Sequence, residues 1–406
     1  MTSNILLARQ PIYDVKLGIV AYELLFRSTD PVNANVIDGD AATSQVILNA
    51  FTALPVADIL EGKPAFINFT ENLLHRPPPI APHQTVIEVL ETIQPTPEVM
   101  QSLRRLKDEG YQIALDDYVF RPGDEELLKL ADIIKIDVME HALEALPGIL
   151  AKLPVRRVKL IAEKVETHEV FEQCKALGFH WFQGYFLAKP QLVKGKTLQS
   201  SQQTVLMLIS ALQNPAVQFD ELENVFSSDP SLSYKLLRLV NSSAFHLTRE
   251  IESIKRALTI LGIAKVRSWA TLIALTQLSN KPGVLSMTAM TRAIFCQQLG
   301  THINRTMGDK LFTIGLLSML DAFMDMSLDD ILQSINIGQD MKDAILHHAG
   351  NEGLILQCAL KMERGELADI PLAKLQALNI DAETIETDYL DSIRQATETF
   401  SELLKQ

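Results

Sequence analysis

The chain has few cysteines, no long hydrophobic segment and no excess of positive charge. Its 406 residues include only three cysteines, Cys174, Cys296 and Cys358, which are far apart and lack the spacing of a metal site. They are typical of reduced thiols, so we expect a cytoplasmic protein. No run reaches the ~18 apolar residues of a membrane span. The N-terminal segment also lacks the basic start and apolar core of a signal peptide.

The charge balance argues against nucleic acid as a partner. The formal net charge is −13, and both halves of the chain are acidic. A protein that binds duplex nucleic acid carries a basic face, and this composition provides none. An acidic chain can still bind a small anionic ligand if metal ions or a few arginine and lysine side chains supply local positive charge.

The first half contains eight short apolar runs of strand length, and helical patterns separate most of them. This alternation predicts an α/β domain with a mainly parallel sheet that is either closed or wound. The first two runs are joined by YDVKLG, a turn of hairpin length, so the first strand is predicted to be antiparallel. The runs are LLARQPIY, LGIVAYELLF, AFINF, TVIEVL, QIALDD, IIKID, VKLIAE and WFQGYF.

Acidic or amide residues stand at the ends of five successive runs. Burying a carboxylate there is costly unless something offsets its charge. In a (β/α) barrel the catalytic groups come from the C-terminal ends of several strands. The pattern therefore predicts a metal site, and Lys135 and Gln183 complete it on two late strands. The residues are Glu23, Asn68, Glu88, Asp116, Asp117 and Glu163.

Each residue also has a simpler interpretation. Glu88 and Glu163 alone are compatible with strand ends that face solvent. Lys135 and Asp137 are compatible with a surface ion pair that contributes little stability.

The segment YELLFR resembles the signature of EAL domains, which hydrolyse or bind the bacterial second messenger cyclic di-GMP. Further segments resemble other family motifs in the same order, over about residues 1 to 190. The resemblance implies that residues 1–190 form a TIM-like (β/α) barrel. Because no single motif is specific, the ordered set carries the resemblance. The other segments are RQPIYD, INFT, IEVLE, LDD, KID, AEKVET and QGYFLAKP.

The resemblance implies a site for two Mg²⁺ or Mn²⁺ ions, which prefer oxygen ligands. It assigns Lys135 to position or deprotonate the attacking water, and it places Glu163 and Gln183 in the same shell. It assigns Arg27 to a phosphate of the dinucleotide through a charge-assisted fork. The implied reaction opens cyclic di-GMP to linear pGpG. The implied metal ligands are Glu23, Asn68, Glu88, Asp116 and Asp117.

The chain departs from the family pattern at three places. After Asp117 it reads YVFRPGDEE, where the family has Phe, Gly and then a Gly/Ser-rich loop. In the family that loop helps to position the second metal ion and to form the dimer contact. The resemblance implies a homodimer, which pairs through that surface or through another. Lys164 stands where the family prefers glycine, and Leu24 stands where it prefers alanine.

The second half has helical periodicity almost throughout. Residues 191–203 are polar and are predicted to be a linker, and residues 204–406 are predicted to form an all-helical domain. The segment DPSLSYKLLRLVNSSAFHLTREIESIKRALTILG, with GLLSMLDAFMDMSLDDIL and ILHHAGNEG, resembles the HDOD domain, a relative of the HD-type metal phosphohydrolases. An HD site needs a histidine immediately before its aspartate, but Leu320 precedes Asp321 here. The resemblance therefore implies a non-catalytic domain that binds a protein partner, as yet unidentified.

Other polar residues of this half have structural interpretations. His347 and His348 are adjacent on a predicted helix and point about a hundred degrees apart, which disfavours a shared metal ion. His302 is interpreted as helix surface or as a hydrogen-bonded core residue. Asn241 is predicted to cap or kink its helix, because such side chains compete with the backbone.

Taken together, the motifs predict a cyclic di-GMP signalling protein with a degenerate EAL domain. It would act as a dinucleotide-binding or protein-interaction regulator through its HDOD domain. The alternative is an active metal-dependent phosphodiesterase that produces linear pGpG.

Overall fold

The chain forms two compact units in a computed structural model. The first contains Met1–Leu187 with Met362–Ala368, and the second contains Ala188–Lys361 with Asp369–Gln406. The structure describes residues 5–28, 60–78, 80–118, 125–141, 143–153, 157–188, 200–214, 226, 230–241, 251, 253–276 and 282–404.

The first unit contains a closed barrel of eight strands that follow one another in chain order. Strand β1 is antiparallel to both of its neighbours, β2 and β8, and all other neighbouring strands are parallel. The predicted barrel is confirmed. The strands are β1 (Ile5–Asp14), β2 (Ile19–Ser28), β3 (Ala65–Phe69), β4 (Thr85–Val89), β5 (Gln112–Leu115), β6 (Ile133–Asp137), β7 (Lys159–Glu163) and β8 (Trp181–Gln183).

Helices connect successive strands from β3 to β8, and threonine side chains cap three of them. Thr70, Thr96 and Thr167 each accept a hydrogen bond from a backbone N–H in the first turn, which satisfies a donor left free at a helix start. The helix Pro97–Asp108 has proline at its first position, where the missing N–H costs no hydrogen bond. The helices are α1 (Glu71–His75), α2 (Pro97–Asp108), α3 (Glu125–Leu130), α4 (Leu146–Leu150) and α5 (His168–Ala176).

The barrel interior is filled by apolar side chains from nearly every strand. These residues are at most 1% exposed, so the barrel is a packed core rather than a pore, and its chemistry is confined to the strand ends. The cluster consists of Ile12, Ala21, Phe66, Val86, Ala114, Ile133 and Ile161.

Strand register brings polar residues from different strands to one end of the barrel. Asn68 lies opposite Glu88, and Asp137 lies opposite Glu163. A close backbone approach follows Gln183, where a Cβ on Gly184 would lie 2.1 Å from the carbonyl oxygen of Val165. Only glycine fits there, so this contact holds the end of β8 against the segment that follows β7.

The second unit contains only helices among its described residues. Ser253 caps α8, and Gly262 ends it with a positive φ. Most of the predicted linker, residues 191–199, lies outside the described residues. The helices are α6 (Ser200–Gln213), α7 (Pro230–Val240), α8 (Ile254–Leu261), α9 (Ile263–Thr276), α10 (Gly283–Ile303), α11 (Arg305–Leu317), α12 (Leu320–Met324), α13 (Leu328–Ser334), α14 (Gln339–His347), α15 (Gly350–Arg364), α16 (Leu372–Gln376) and α17 (Ala382–Leu404).

No single helix in the described part of the chain is long and apolar enough to cross a membrane. The segments Arg305–Met324 and Leu328–Ser334 are together long and apolar enough, but they are bent by 114° relative to each other.

Candidate functional site

The ammonium group of Lys135 lies at the centre of four carboxylates at the C-terminal end of the barrel strands. Its Nζ atom lies 2.6 Å from Glu88, 2.8 Å from Asp116, 2.8 Å from Glu163 and 3.2 Å from Glu23. Lys135 is 1% exposed and Glu88 is fully buried. The four acidic residues come from different parts of the barrel, so closure of the sheet assembles the cluster.

Amide side chains extend this cluster toward β8 and β1. The amide of Gln183 donates to Glu23 and to Gln10, both at 2.6 Å. Asn68 donates to the other oxygen of Glu23 at 3.5 Å. Sequence reasoning missed Gln10, although a polar residue in an otherwise apolar strand was a usable signal. The register places Gln10 directly opposite Glu23.

The buried charges of the cluster shift one another's pKa. Burial lowers the pKa of Lys135, but the four carboxylates more than offset this effect and raise it well above its usual value. Burial raises the pKa of Glu88 well above its usual value, and Glu23 adds to the effect. Burial also raises the pKa of Glu163 to about 8, against the lowering effect of Lys135. One ammonium therefore compensates only part of the negative charge that four ionised carboxylates would carry.

Asp117 lies beside the cluster and near a second lysine, Lys164. Its backbone is in the left-handed region, with φ of 41°, and Lys164 is also left-handed, with φ of 54°. Lys164 forms an ion pair with Asp137, and its Nζ lies 3.9 Å from Asp117. The positive φ explains why glycine would suit position 164, because non-glycine residues adopt it at a cost.

The oxygen atoms of the site fit a divalent cation in chemistry. In the described part of the chain, several buried oxygens of the site accept no hydrogen bond, among them Asn68 Oδ1, Glu88 Oε2, Asp117 Oδ1, Glu163 Oε2 and Gln183 Oε1. Buried oxygens without partners are costly, and hard oxygen donors are the ligands that Mg²⁺ and Mn²⁺ prefer. Within the described residues, no group of three or more His, Cys, Asp or Glu side chains is arranged to hold a metal ion. The carboxylates of the site instead surround the ammonium group of Lys135.

Two simpler interpretations of the polar residues are wrong. Glu88 and Glu163 do not face solvent, since they are 0% and 8% exposed. Lys135 and Asp137 do not form a surface ion pair, because both are buried and Asp137 pairs with Lys164. Arg27 lies in β2, but its side chain is outside the described residues, as is the loop of residues 119–124.

The polar residues of the helical unit do not assemble a comparable site within the described ranges. Leu320 is fully buried where an HD site needs histidine. His347 and His348 are both exposed at the end of α14, and His302 lies on the surface, 2.9 Å from Asp388. Asn241 follows α7 and both donates to and accepts from the backbone of Ile251, at 2.8 and 2.7 Å. It therefore joins the two ends of the segment 242–250.

Comparison with known proteins finds two family models along the chain. The EAL domain model matches residues 51–190, and the HDOD domain model matches residues 198–348. A solved structure of BlrP1 from Klebsiella pneumoniae, a calcium and cyclic di-GMP complex, is 22% identical. It covers 45% of this chain and 54% of its own, with a TM-score of 0.37.

Two curated relatives match nearly the whole chain. The cyclic di-GMP phosphodiesterase CdgJ of Vibrio cholerae is 34% identical over 397 residues, which are 95% of this chain and 91% of that protein. The uncharacterised protein YuxH of Bacillus subtilis is 32% identical over 371 residues, 89% of this chain and 91% of that protein. The chain therefore belongs to the family of proteins that join an EAL domain to an HDOD domain.

Proposed function

We propose that the barrel is a Mg²⁺- or Mn²⁺-dependent phosphodiesterase that opens cyclic di-GMP to linear pGpG. One observation carries the proposal: four carboxylates from different strands converge at one end of the barrel, and several oxygens there lack hydrogen-bond partners. The name of the Vibrio cholerae relative, which is similar over nearly the whole chain, supports the same activity.

The metal ligands of this proposal are the residues assigned from the motifs. When bound, two cations supply positive charge to the phosphodiester and activate the attacking water. The residues must first release Lys135, because its ammonium holds three of the five in the structure. The proposed ligands are Glu23, Asn68, Glu88, Asp116 and Asp117.

The remaining residues of the cluster have distinct proposed roles. Lys135, once released by the metal ligands, is proposed to position the attacking water from its place on β6. Glu163, whose pKa lies near 8, is the proposed proton acceptor. Gln183 holds Glu23 in place through its amide. Arg27 is proposed to contact a phosphate of the dinucleotide.

Turnover of cyclic di-GMP tests this proposal directly. We expect the full chain to release pGpG with Mg²⁺ or Mn²⁺ but not in EDTA, with Glu23→Ala abolishing the reaction. Glu172→Ala is the matched control, because Glu172 is an exposed acidic residue on α5. Absence of pGpG with either metal at high enzyme concentration would rule the activity out.

A second candidate function is a regulator that binds the dinucleotide or a protein without hydrolysis. The observation that favours it is that Lys135 and Lys164 already neutralise part of the charge that the metal ions would compensate. Calorimetric titration with cyclic di-GMP, with and without Mn²⁺, separates the two candidates: binding without turnover supports the regulator. We also propose that the helical unit binds a protein partner and that the chain forms a homodimer. The proposed domain boundaries are 1–190, 191–203 and 204–406.

A further inference from the structure

Lys164 occupies an unusual position at the edge of the strand-end cluster. It immediately follows Glu163, the last residue of β7, and its φ of 54° lies in the left-handed region. Its side chain is 53% exposed, yet the ammonium points back to Asp137, which is 3% exposed. A lysine in this backbone conformation is strained, so its side-chain contacts must offset the cost.

Asp137 fixes the position of the Lys164 ammonium. Its Oδ1 atom accepts hydrogen bonds from the backbone N–H groups of Met139, at 2.7 Å, and Glu140, at 3.3 Å. Its Oδ2 atom accepts from Lys164. Because two backbone donors and one ammonium satisfy this carboxylate, Asp137 is a rigid partner and the ammonium stays beside it.

Asp117 is only partly satisfied by Lys164. The two groups are 3.9 Å apart, at the limit of an ion pair, and Asp117 Oδ1 has no hydrogen-bond partner in the described part of the chain. Burial raises the pKa of Asp117, Asp116 adds to the effect and Lys164 opposes it. Asp117 therefore retains an oxygen for a ligand, but any cation bound there lies close to a fixed positive charge.

We propose that Lys164 is a built-in cation that weakens the binding of one divalent ion at Asp117, so that the two metal positions fill at different metal concentrations. This inference rests on the proposed metal site of the phosphodiesterase. Repulsion between like charges a few ångströms apart is substantial near a protein surface, although the exposure of Lys164 allows salt to screen it. An ion held by Glu23, Glu88 and Asp116 would be affected less, because these three carboxylates contact Lys135 and form no ion pair with Lys164 among the described residues.

Manganese binding to the full chain, measured by electron paramagnetic resonance and calorimetry, tests the inference without reference to activity. We expect the wild-type protein to bind one Mn²⁺ ion tightly and a second weakly. Lys164→Gln should tighten the weaker site by about tenfold or more and leave the tighter site within a few-fold. Lys175→Gln is the matched control, because Lys175 is an exposed lysine paired with Glu172 on α5.

Lys164→Gly separates charge from backbone strain. It removes the ammonium and also relieves the positive φ, so it should tighten the weaker site as much as Lys164→Gln does. If only the glycine variant tightens the site, the backbone rather than the charge is responsible and the inference is overturned. The difference between wild type and Lys164→Gln should also shrink at high salt, which a purely structural role would not produce.

The outcomes distinguish this inference from the function on which it rests. Wild-type protein that binds Mn²⁺ with affinities unchanged by Lys164→Gln overturns the role of Lys164 and leaves the phosphodiesterase standing. If the wild-type protein binds neither Mn²⁺ nor, by calorimetry, Mg²⁺, both the role of Lys164 and the phosphodiesterase are overturned.

Discussion

Replacement of Lys135 by methionine removes the positive charge on which four carboxylates converge. Methionine has similar length and no charge, so the change tests electrostatics more than packing. The ammonium lies 2.6 to 3.2 Å from Glu88, Asp116, Glu163 and Glu23, and it is 1% exposed. We expect Lys135→Met to destabilise the metal-free barrel strongly.

The magnitude follows from the distances and the burial. At about 3 Å and an effective dielectric constant of about 20, each pair contributes roughly 6 kcal/mol of attraction before desolvation is counted. Removing one partner of a buried ion pair typically costs about 3–5 kcal/mol. Glu88 and Glu163 can take up protons when the ammonium is lost, which limits the cost at low pH. We therefore expect a loss of about 3–5 kcal/mol at about pH 9 and a smaller loss at about pH 6.

Urea unfolding in EDTA measures this loss, and the two tryptophans of the chain allow the units to be followed separately. Trp181 lies on β8 of the barrel, and Trp269 lies on α9 of the helical unit. In a Trp269→Phe background the fluorescence of Trp181 reports the barrel alone. Lys175→Met is the control, because exposed ion pairs contribute at most about 1 kcal/mol.

The reasoning about Lys135 fails under either of two results. A loss below about 1 kcal/mol at about pH 9 would mean that the ammonium does not balance the buried carboxylates. A larger loss at about pH 6 than at about pH 9 would contradict the direction of the shifts at Glu88 and Glu163, since protonation should relieve the unpaired charge.

Three further predictions concern single groups. Folding raises the pKa of Glu163 to about 8, so the folded state binds more protons near neutral pH than the unfolded state does. The stability of the metal-free protein should therefore fall as the pH rises through 8. Glu163→Gln should flatten this dependence, and an unchanged slope would contradict the pKa shift. Glu88→Gln should weaken Mn²⁺ binding about tenfold or more by calorimetry, because a carboxylate ligand is lost, and an unchanged affinity would contradict its proposed role as a ligand. Asn241→Ala removes two hydrogen bonds and should lower the stability of the helical unit by about 1–3 kcal/mol, followed by its own tryptophan. Asn336→Ala, at an exposed asparagine, should change little, and equal effects of the two changes would refute the role of Asn241.

The barrel could be predicted from the sequence because its signals are local and mutually consistent. Short β-like runs alternate with helices whose starts carry threonine caps, such as Thr96 before the helix Pro97–Asp108. The rim on which Glu23, Glu88 and Glu163 meet could also be predicted, because the C-terminal ends of parallel strands lie at one end of a barrel. Fold and approximate site therefore required no long-range information.

The pairing within the site could not be predicted because it depends on register between distant strands. Lys135 and Asp137 are two residues apart on β6 and are natural partners in sequence. In the structure Lys135 instead contacts Glu88 of β4 and Glu23 of β2, and Asp137 pairs with Lys164. Gln10 enters the site only because the antiparallel pairing of β1 and β2 places it opposite Glu23.

The presence of every motif residue does not by itself determine whether the barrel hydrolyses its ligand. The metal-free cluster is held together by Lys135, and Lys164 adds a second positive charge beside Asp117. A divalent ion must therefore compete with an ammonium group that is already in place, in a buried environment where unpaired charge is costly. On the proposed function, this competition would set the metal concentration at which the site fills. Substitutions that remove the charge of Lys135 or Lys164 should therefore raise metal affinity, and substitutions that remove a carboxylate should lower it.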